Sequence, residues 1–261
     1  MKSLALPILI LLTAHVYSQD IKVVEHILST KFQRIAYWRD YPKDDTTVDV
    51  YDSLAKANID FQNALVKIAS TYPTSLKYDF TSLKDSGLTI ATSGDHRLRI
   101  YSWDSELGGS AHNYLTVFQF QGALGLQANA TDTTANIEES GFGGFYTPIY
   151  TLNTPVKTYY LVVAHHILSH RDITQGVETF CINNGSLDGS VKLFKTKTGL
   201  HNGITFDFNF FSVVNRPERP IQLIEFDSVH PSIRIPVVLE DGSVTNRSII
   251  YRWTGHYFER K

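Results

Sequence analysis

The residues of this chain best suited to chemistry gather in two places. The first is the run Tyr159–Asp172, which carries His165, His166, His170 and Asp172. Imidazoles and a carboxylate are zinc ligands, and a site that keeps one position open activates water for hydrolysis. On a straight strand side chains alternate, so His166, His170 and Asp172 would face one way and His165 the other. A break near Ser169 would scatter them, and the spacing is not the helical HExxH pattern of zinc hydrolases. The plainer reading is solvent-facing histidines at a strand end, with a metal site of His166, His170 and Asp172 as the alternative.

The second place is residues 95–112. Asp95, His96, Trp103, Asp104 and His112 converge there if their loops share one rim. Trp103 lies beside Arg97 and Arg99 on one strand face, a combination that stacks planar ligands. Arg97, Arg99, Trp103, Asp104 and His112 are therefore the candidate binding residues, with Asp95 and Asp104 also suited to holding loops. Neighbouring signals are weaker. Gly109-Ser110-Ala111-His112 lacks the last glycine of a nucleophile elbow. The glycine-rich Gly141–Phe145 lacks both a phosphate-binding lysine and a following helix. The Asp-Gly turns lack the dense aspartates of a calcium loop. No catalytic constellation is complete, and no cofactor is expected.

The elements that must position these residues are of two kinds. From a capping Asp20, the residues Ile21, Val24, Ile27, Leu28, Phe32 and Ile35 recur at helical spacing. Pro42 and the run 44–47 break that helix. A second begins near Val48, where Val50, Leu54, Ala57, Phe61, Leu65, Ile68 and Tyr72 form one apolar stripe, and Pro73 ends it. Beyond Pro73 everything reads as β. Leu88–Thr92, Arg97–Trp103 and Tyr114–Gln121 are strands, with Leu98 and Ile100 on one face and Arg97, Arg99, Tyr101 and Trp103 on the other. Further strands are Phe145–Leu152, Tyr159–Ile167, Val177–Ile182, Val191–Phe194, Phe206–Phe210, Ile221–Phe226, Ile233–Leu239 and Ser248–Trp253, with Tyr257-Phe258 returning. Hairpin residues punctuate them at 183–190 and as a two-residue turn at Asp241-Gly242. The strands group near 88–128, 143–198 and 203–259, and residues 129–142 form a polar gap that reads as a loop.

The stretch Ala91–Asp104, ATSGDHRLRIYSWD, resembles the turn, strand and closing Trp-Asp of a WD-repeat blade, and the likeness covers residues 88–121. The segment is also similar to exported bacterial proteins of unassigned function. Such a blade implies a scaffold in which His, Asp and Trp hold the strands together, although the histidine of that pattern has no clear match here. Three groups of strands are fewer than the minimum of about four blades in a closed propeller.

The fold expected is mainly β with an N-terminal helical hairpin, its antiparallel meanders propeller-blade-like or packed as a sandwich. Residues 1–18 read as a secretory signal with Lys2, an apolar stretch Leu4–Ala14 and cleavage after Ser18. That stretch is shorter than the roughly 20 residues of a membrane-spanning helix. The expected divisions are a signal at 1–18, a helical hairpin at 19–73 and an antiparallel β domain at 74–261. A net charge of −2 supplies no basic stripe, which argues against nucleic acid as a partner. The single cysteine, Cys181, has no partner and reads as a buried small side chain. Asn129, Asn184 and Asn246 head glycosylation triplets, a pattern common by chance. The expectation is an exported protein, periplasmic or secreted, that binds a protein or glycan partner through a sheet face or loop rim. The alternative is a hydrolase using the His165–Asp172 cluster.

Overall fold

The computed structural model describes residues 20–130 and 143–261. The expected signal therefore lies outside the described residues, as do residues 131–142 of the loop expected at 129–142, whose first two residues, Asn129 and Ala130, instead end a strand. Two helices open the described chain, α1 (Ile21–Arg39) and α2 (Val50–Thr71). Asp20 caps α1 by accepting from Lys22 N at 3.0 Å, and Asp49 caps α2 by accepting from Asp52 N at 2.9 Å. The apolar stripes face each other and the first sheet, with Leu28, Phe61 and Leu65 fully buried. Each such side chain contributes about 1.5–3 kcal/mol. Ile27 departs from the expected stripe and is exposed.

The expectation that only β follows Pro73 is corrected. A 3₁₀ turn at Pro73–Leu76 and the short helix α3 (Thr81–Asp85) precede the first strand. Five residues are too few to display a helical period, so α3 leaves no sequence pattern.

The first sheet is a four-stranded meander of β1 (Thr89–Thr92), β2 (Leu98–Asp104), β3 (Tyr114–Gly122) and β4 (Gly125–Ala130). The next three strands, β5 (Phe145–Asn153), β6 (Thr158–Ile167) and β7 (Asp172–Asn183), form the second sheet, and β8 (Ser186–Asp188) hairpins onto β7. The chain then leaves for the third sheet with β9 (Phe194–Thr196) and β10 (Gly199–His201), and returns with β11 (Gly203–Asn209) beside β7. The third sheet is completed by β12 (Glu225–Asp227), β13 (Ser232–Val238), β14 (Val244–Trp253) and β15 (Phe258–Arg260), in the order β10-β9-β15-β14-β13-β12. Among the described residues pairing is antiparallel except between β15 and β9. The third sheet thus draws on two of the three expected groups, because β15 reaches β9 only by a parallel, non-local pairing that sequence spacing does not record.

The cores run in series. The helices pack on one face of the first sheet, through Tyr101, Trp103 and Val117. Its other face, through Leu98, Ile100 and Phe120, packs on Tyr160 and Val162 of the second sheet. The opposite face of the second sheet, through Leu161, Val163 and Val177, packs on Phe194, Ile233 and Phe258 of the third. Strand β2 is consequently buried on both sides. Cys181 is buried, and burial pushes its thiol pKa up, in keeping with a packing role.

The turn at Asp241-Gly242 holds three residues rather than two. Leu239 N donates to Ser243 O and Gly242 N to Leu239 O, each at 3.0 Å, leaving Glu240–Gly242 as the loop. Gly242 takes φ +82°, and a β-carbon there would lie 3.1 Å from Asn209 N. Gly242→Val is expected to destabilise the protein by more than about 1–2 kcal/mol, since positive φ and β-branching are incompatible. An unchanged denaturant midpoint would show that the turn tolerates either conformation.

Candidate functional site

Strand β2 places Arg99 and Trp103 on the face that meets the helices. The expected stacking surface is therefore corrected. Trp103 is fully buried, its Nε1–H donating to Asn58 Oδ1 at 2.9 Å and its ring meeting Phe61 edge-on at 5.0 Å. The Arg99 guanidinium donates to Thr92 Oγ1 at 2.7 Å, to Tyr78 O at 2.6 Å and to Ser75 O. The helical stripes need an apolar sheet face to cover, and this is that face. Arg97 is exposed at the other end of β2 and braces Gln121 O at 3.1 Å.

The residues proposed to converge divide between the two ends of β2. Asp95 accepts from Arg97 N at 3.1 Å and from Tyr160 OH at 2.9 Å, fixing the β1–β2 turn. His96 sits in that turn with φ 56°. Asp104 and His112 lie a strand length away, about 20 Å at 3.3 Å per residue.

At that far end a site does form. One oxygen of Asp104 accepts from Glu106 N at 2.9 Å, and the other accepts from His112 Nδ1. His112 stacks on Tyr114, with ring planes 19° apart. Glu106 accepts from Arg39 at 3.2 Å, tying helix α1 to the loop after β2. Burial pushes the Tyr114 phenol up to about 12, so it stays protonated and available as a donor. Arg39, Asp104, Glu106 and Tyr114 line a cleft of about 570 Å³ together with Gln33 and Phe145, and His112 is held against Asp104 outside that lining. Glu106 adopts φ 60°. A left-handed residue other than glycine costs roughly 1 kcal/mol, and such residues gather at ligand sites. Near the C-terminal end of α1, outside the cleft's lining, Tyr37, Trp38 and Tyr41 form a cluster of edge-on and tilted rings with centroids 5.0–5.8 Å apart. The Tyr37 ring is 55% exposed.

The histidine run ends at the same rim, where His112 N donates to Ile167 O at 2.9 Å. Strand β6 stops at Ile167 and β7 begins at Asp172, so the expected break near Ser169 is present. The straight-strand geometry for His166, His170 and Asp172 is accordingly corrected. Asp172 exchanges bonds with Ser169 across the turn at 2.9 Å, His170 is exposed in the turn, and His166 packs over Gly144. Among the described residues no three His, Cys, Asp or Glu side chains are grouped as a metal site requires.

His165 points the other way and is buried. Its Nε2–H donates to Thr147 O at 2.7 Å, its Nδ1 accepts from Gln175 Nε2 at 3.1 Å, and its ring stacks on Phe145 at 4.5 Å. Burial lowers its pKa to about 4 from 6.5. A depressed imidazole pKa means the unfolded chain binds the extra proton, so this stabilisation is complete above pH 6.5 and is lost as pH falls toward 4. The loss is about 3 kcal/mol at 1.36 kcal/mol per pKa unit. Glu178, whose pKa is raised by burial, acts in the opposite sense. The difference between wild type and His165→Gln isolates the imidazole. Urea midpoints at pH 7 and pH 4.5 should converge more in the variant than in the wild type, and parallel pH profiles would contradict the assignment.

No family model matches this chain, and no curated protein or solved structure is found to be similar to it.

Of the sequence candidates, Asp104 lines the cleft and His112 pairs with it from outside the lining. Arg39, Glu106, Tyr114 and the nearby aromatic cluster of α1 do not appear among those candidates. Tyr37-Trp38-Arg39-Asp40-Tyr41 is a visible aromatic and charged cluster, but it lies at the end of a helix whose stripe marks it as core-packing.

Proposed function

We propose that this is an exported, non-enzymatic binding protein whose loop rim takes a glycan in the cleft between α1 and the ends of β2 and β3. The observation that carries the reading is the pairing of the cleft's charged side chains: Arg39 with Glu106 inside it, and Asp104 of its wall with His112 just outside. Planar polar side chains already fixed by one another present oriented donors and acceptors without adding strong net charge. That suits the hydroxyls of a neutral sugar better than an ionic ligand. One helical turn beyond Gln33 of the cleft wall, the exposed Tyr37 ring offers an apolar face on which a pyranose ring extending out of the cleft stacks, and the strained Glu106 backbone fits a loop shaped for a ligand.

Oligosaccharides of β-linked hexoses and N-acetylhexosamines are the appropriate probes. Titration calorimetry should detect saturable binding to at least one, weakened at least tenfold by Glu106→Gln and by Tyr37→Ala. Binding unaffected by either change would remove the cleft from the account. The Asp104–His112 pair also has the orientation a general base needs. Product analysis on the same mixtures therefore decides between classes, and cleavage abolished by His112→Ala would replace the binding reading with a hydrolase.

A further inference from the structure

A second cavity adjoins the cleft, since Phe145 and Pro220 line both. Its volume is about 170 Å³, and its walls also include Ile173, Phe208, Phe210 and Ile221. The pocket opens to solvent on one side, and its volume is close to the roughly 150 Å³ that accommodates one benzene ring in an apolar cavity. The buried polar side chain in the wall, His165, has both ring nitrogens engaged by Thr147 and Gln175, so it offers only its flat face. Gln175 is itself saturated, since its Nε2 also donates to Ile221 O at 2.9 Å and its Oε1 accepts from Leu223 N at 2.9 Å. The interior thus rewards an apolar ring and leaves any buried hydroxyl or amine without a partner.

The mouth has a different character. Arg219 is exposed there, with its guanidinium carbon 5.8 Å from the centre of the Phe210 ring. It donates to the carbonyl oxygens of Arg216, Glu218 and Val214 at 2.6–2.8 Å, and these bonds hold it over the opening. The neighbouring carboxylate, Glu218, is committed to Arg216. Arg219 keeps N–H groups beyond those three bonds, because a guanidinium carries five.

We propose that this cavity is a binding site for a small aromatic carboxylate, with the ring among Phe145, Phe208 and Phe210 and the carboxylate at Arg219. The site is separate from the glycan reading and would stand if that reading failed. Phenylacetate is the probe, with benzylamine as the charge-reversed control of equal size. Titration of the full chain by ligand-observed NMR should show saturable phenylacetate binding at least tenfold tighter than benzylamine. Arg219→Gln, an exposed change that retains a donor for the loop carbonyls, should erase that preference. Ile173→Phe should fill the cavity and abolish binding, with a thermal melt confirming that the variant is folded. Should Ile173→Phe not fold, loss of the preference in Arg219→Gln still decides the matter. Absence of saturable phenylacetate binding, or a preference unchanged in Arg219→Gln, would overturn the proposal.

Discussion

Trp103→Ala is expected to cost the protein at least about 3–5 kcal/mol, the range for removing a buried large aromatic ring. Trp103 joins the helices to the first sheet. Its ring meets Phe61 of α2 edge-on, and its indole N–H satisfies the buried amide oxygen of Asn58. Asn58 in turn donates to Leu54 O at 3.0 Å within its own helix and to Ser105 O at 2.9 Å in the loop after β2. Alanine would leave a cavity and an unpaired buried oxygen, the latter adding roughly 1–3 kcal/mol. Chemical denaturation followed by far-ultraviolet circular dichroism measures the effect, and a loss below about 1 kcal/mol would mean that the helices do not depend on this contact. Trp103→Phe should recover part of the packing but not the hydrogen bond.

Arg99→Met is expected to be the second most damaging change, at about 2–4 kcal/mol. A buried cation is costly unless its donors are used, and Arg99 directs its donors at Thr92, Ser75 and Tyr78. The same knot includes Tyr101, whose hydroxyl donates to Gln119 Oε1 at 2.7 Å, and Gln119 Nε2, which donates to Ala69 O at 2.7 Å. Burial pushes the Tyr101 phenol up to about 12, keeping that donor intact through the physiological range. Methionine preserves the apolar stem and removes every donor, so the segment between α2 and β1 should lose its anchor. Amide exchange at residues 75–80 should accelerate in the variant. Unchanged exchange there would contradict a fixing role for the guanidinium.

These two residues also show where sequence reading succeeds and fails. Alternation along Arg97–Trp103 assigns the two faces of β2 correctly, because a strand's period is imposed by the backbone. Which face meets solvent is not a local property. An arginine and a tryptophan on one face look like a ligand surface until the stripes of α1 and α2 are known to cover them. The helices themselves are legible from spacing and caps, since Asp20 and Pro73 act on their immediate neighbours. The β9–β15 pairing is not, because it joins residues distant in the chain by backbone bonds that any side chain permits. The cleft is half legible. Asp104 and His112 stand out as types, whereas Arg39 reaches Glu106 only through the packing of α1 against the first sheet.

The rim cleft is the central claim, and amide chemical-shift mapping during an oligosaccharide titration tests it most directly. Saturating shifts are expected at Gln33, Tyr37, Arg39, Glu106, His112 and Tyr114, with little change at Asp95 and His96 at the other end of β2. Shifts confined to the Asp95 end, or none with any sugar of the panel, would contradict the placement of the binding site.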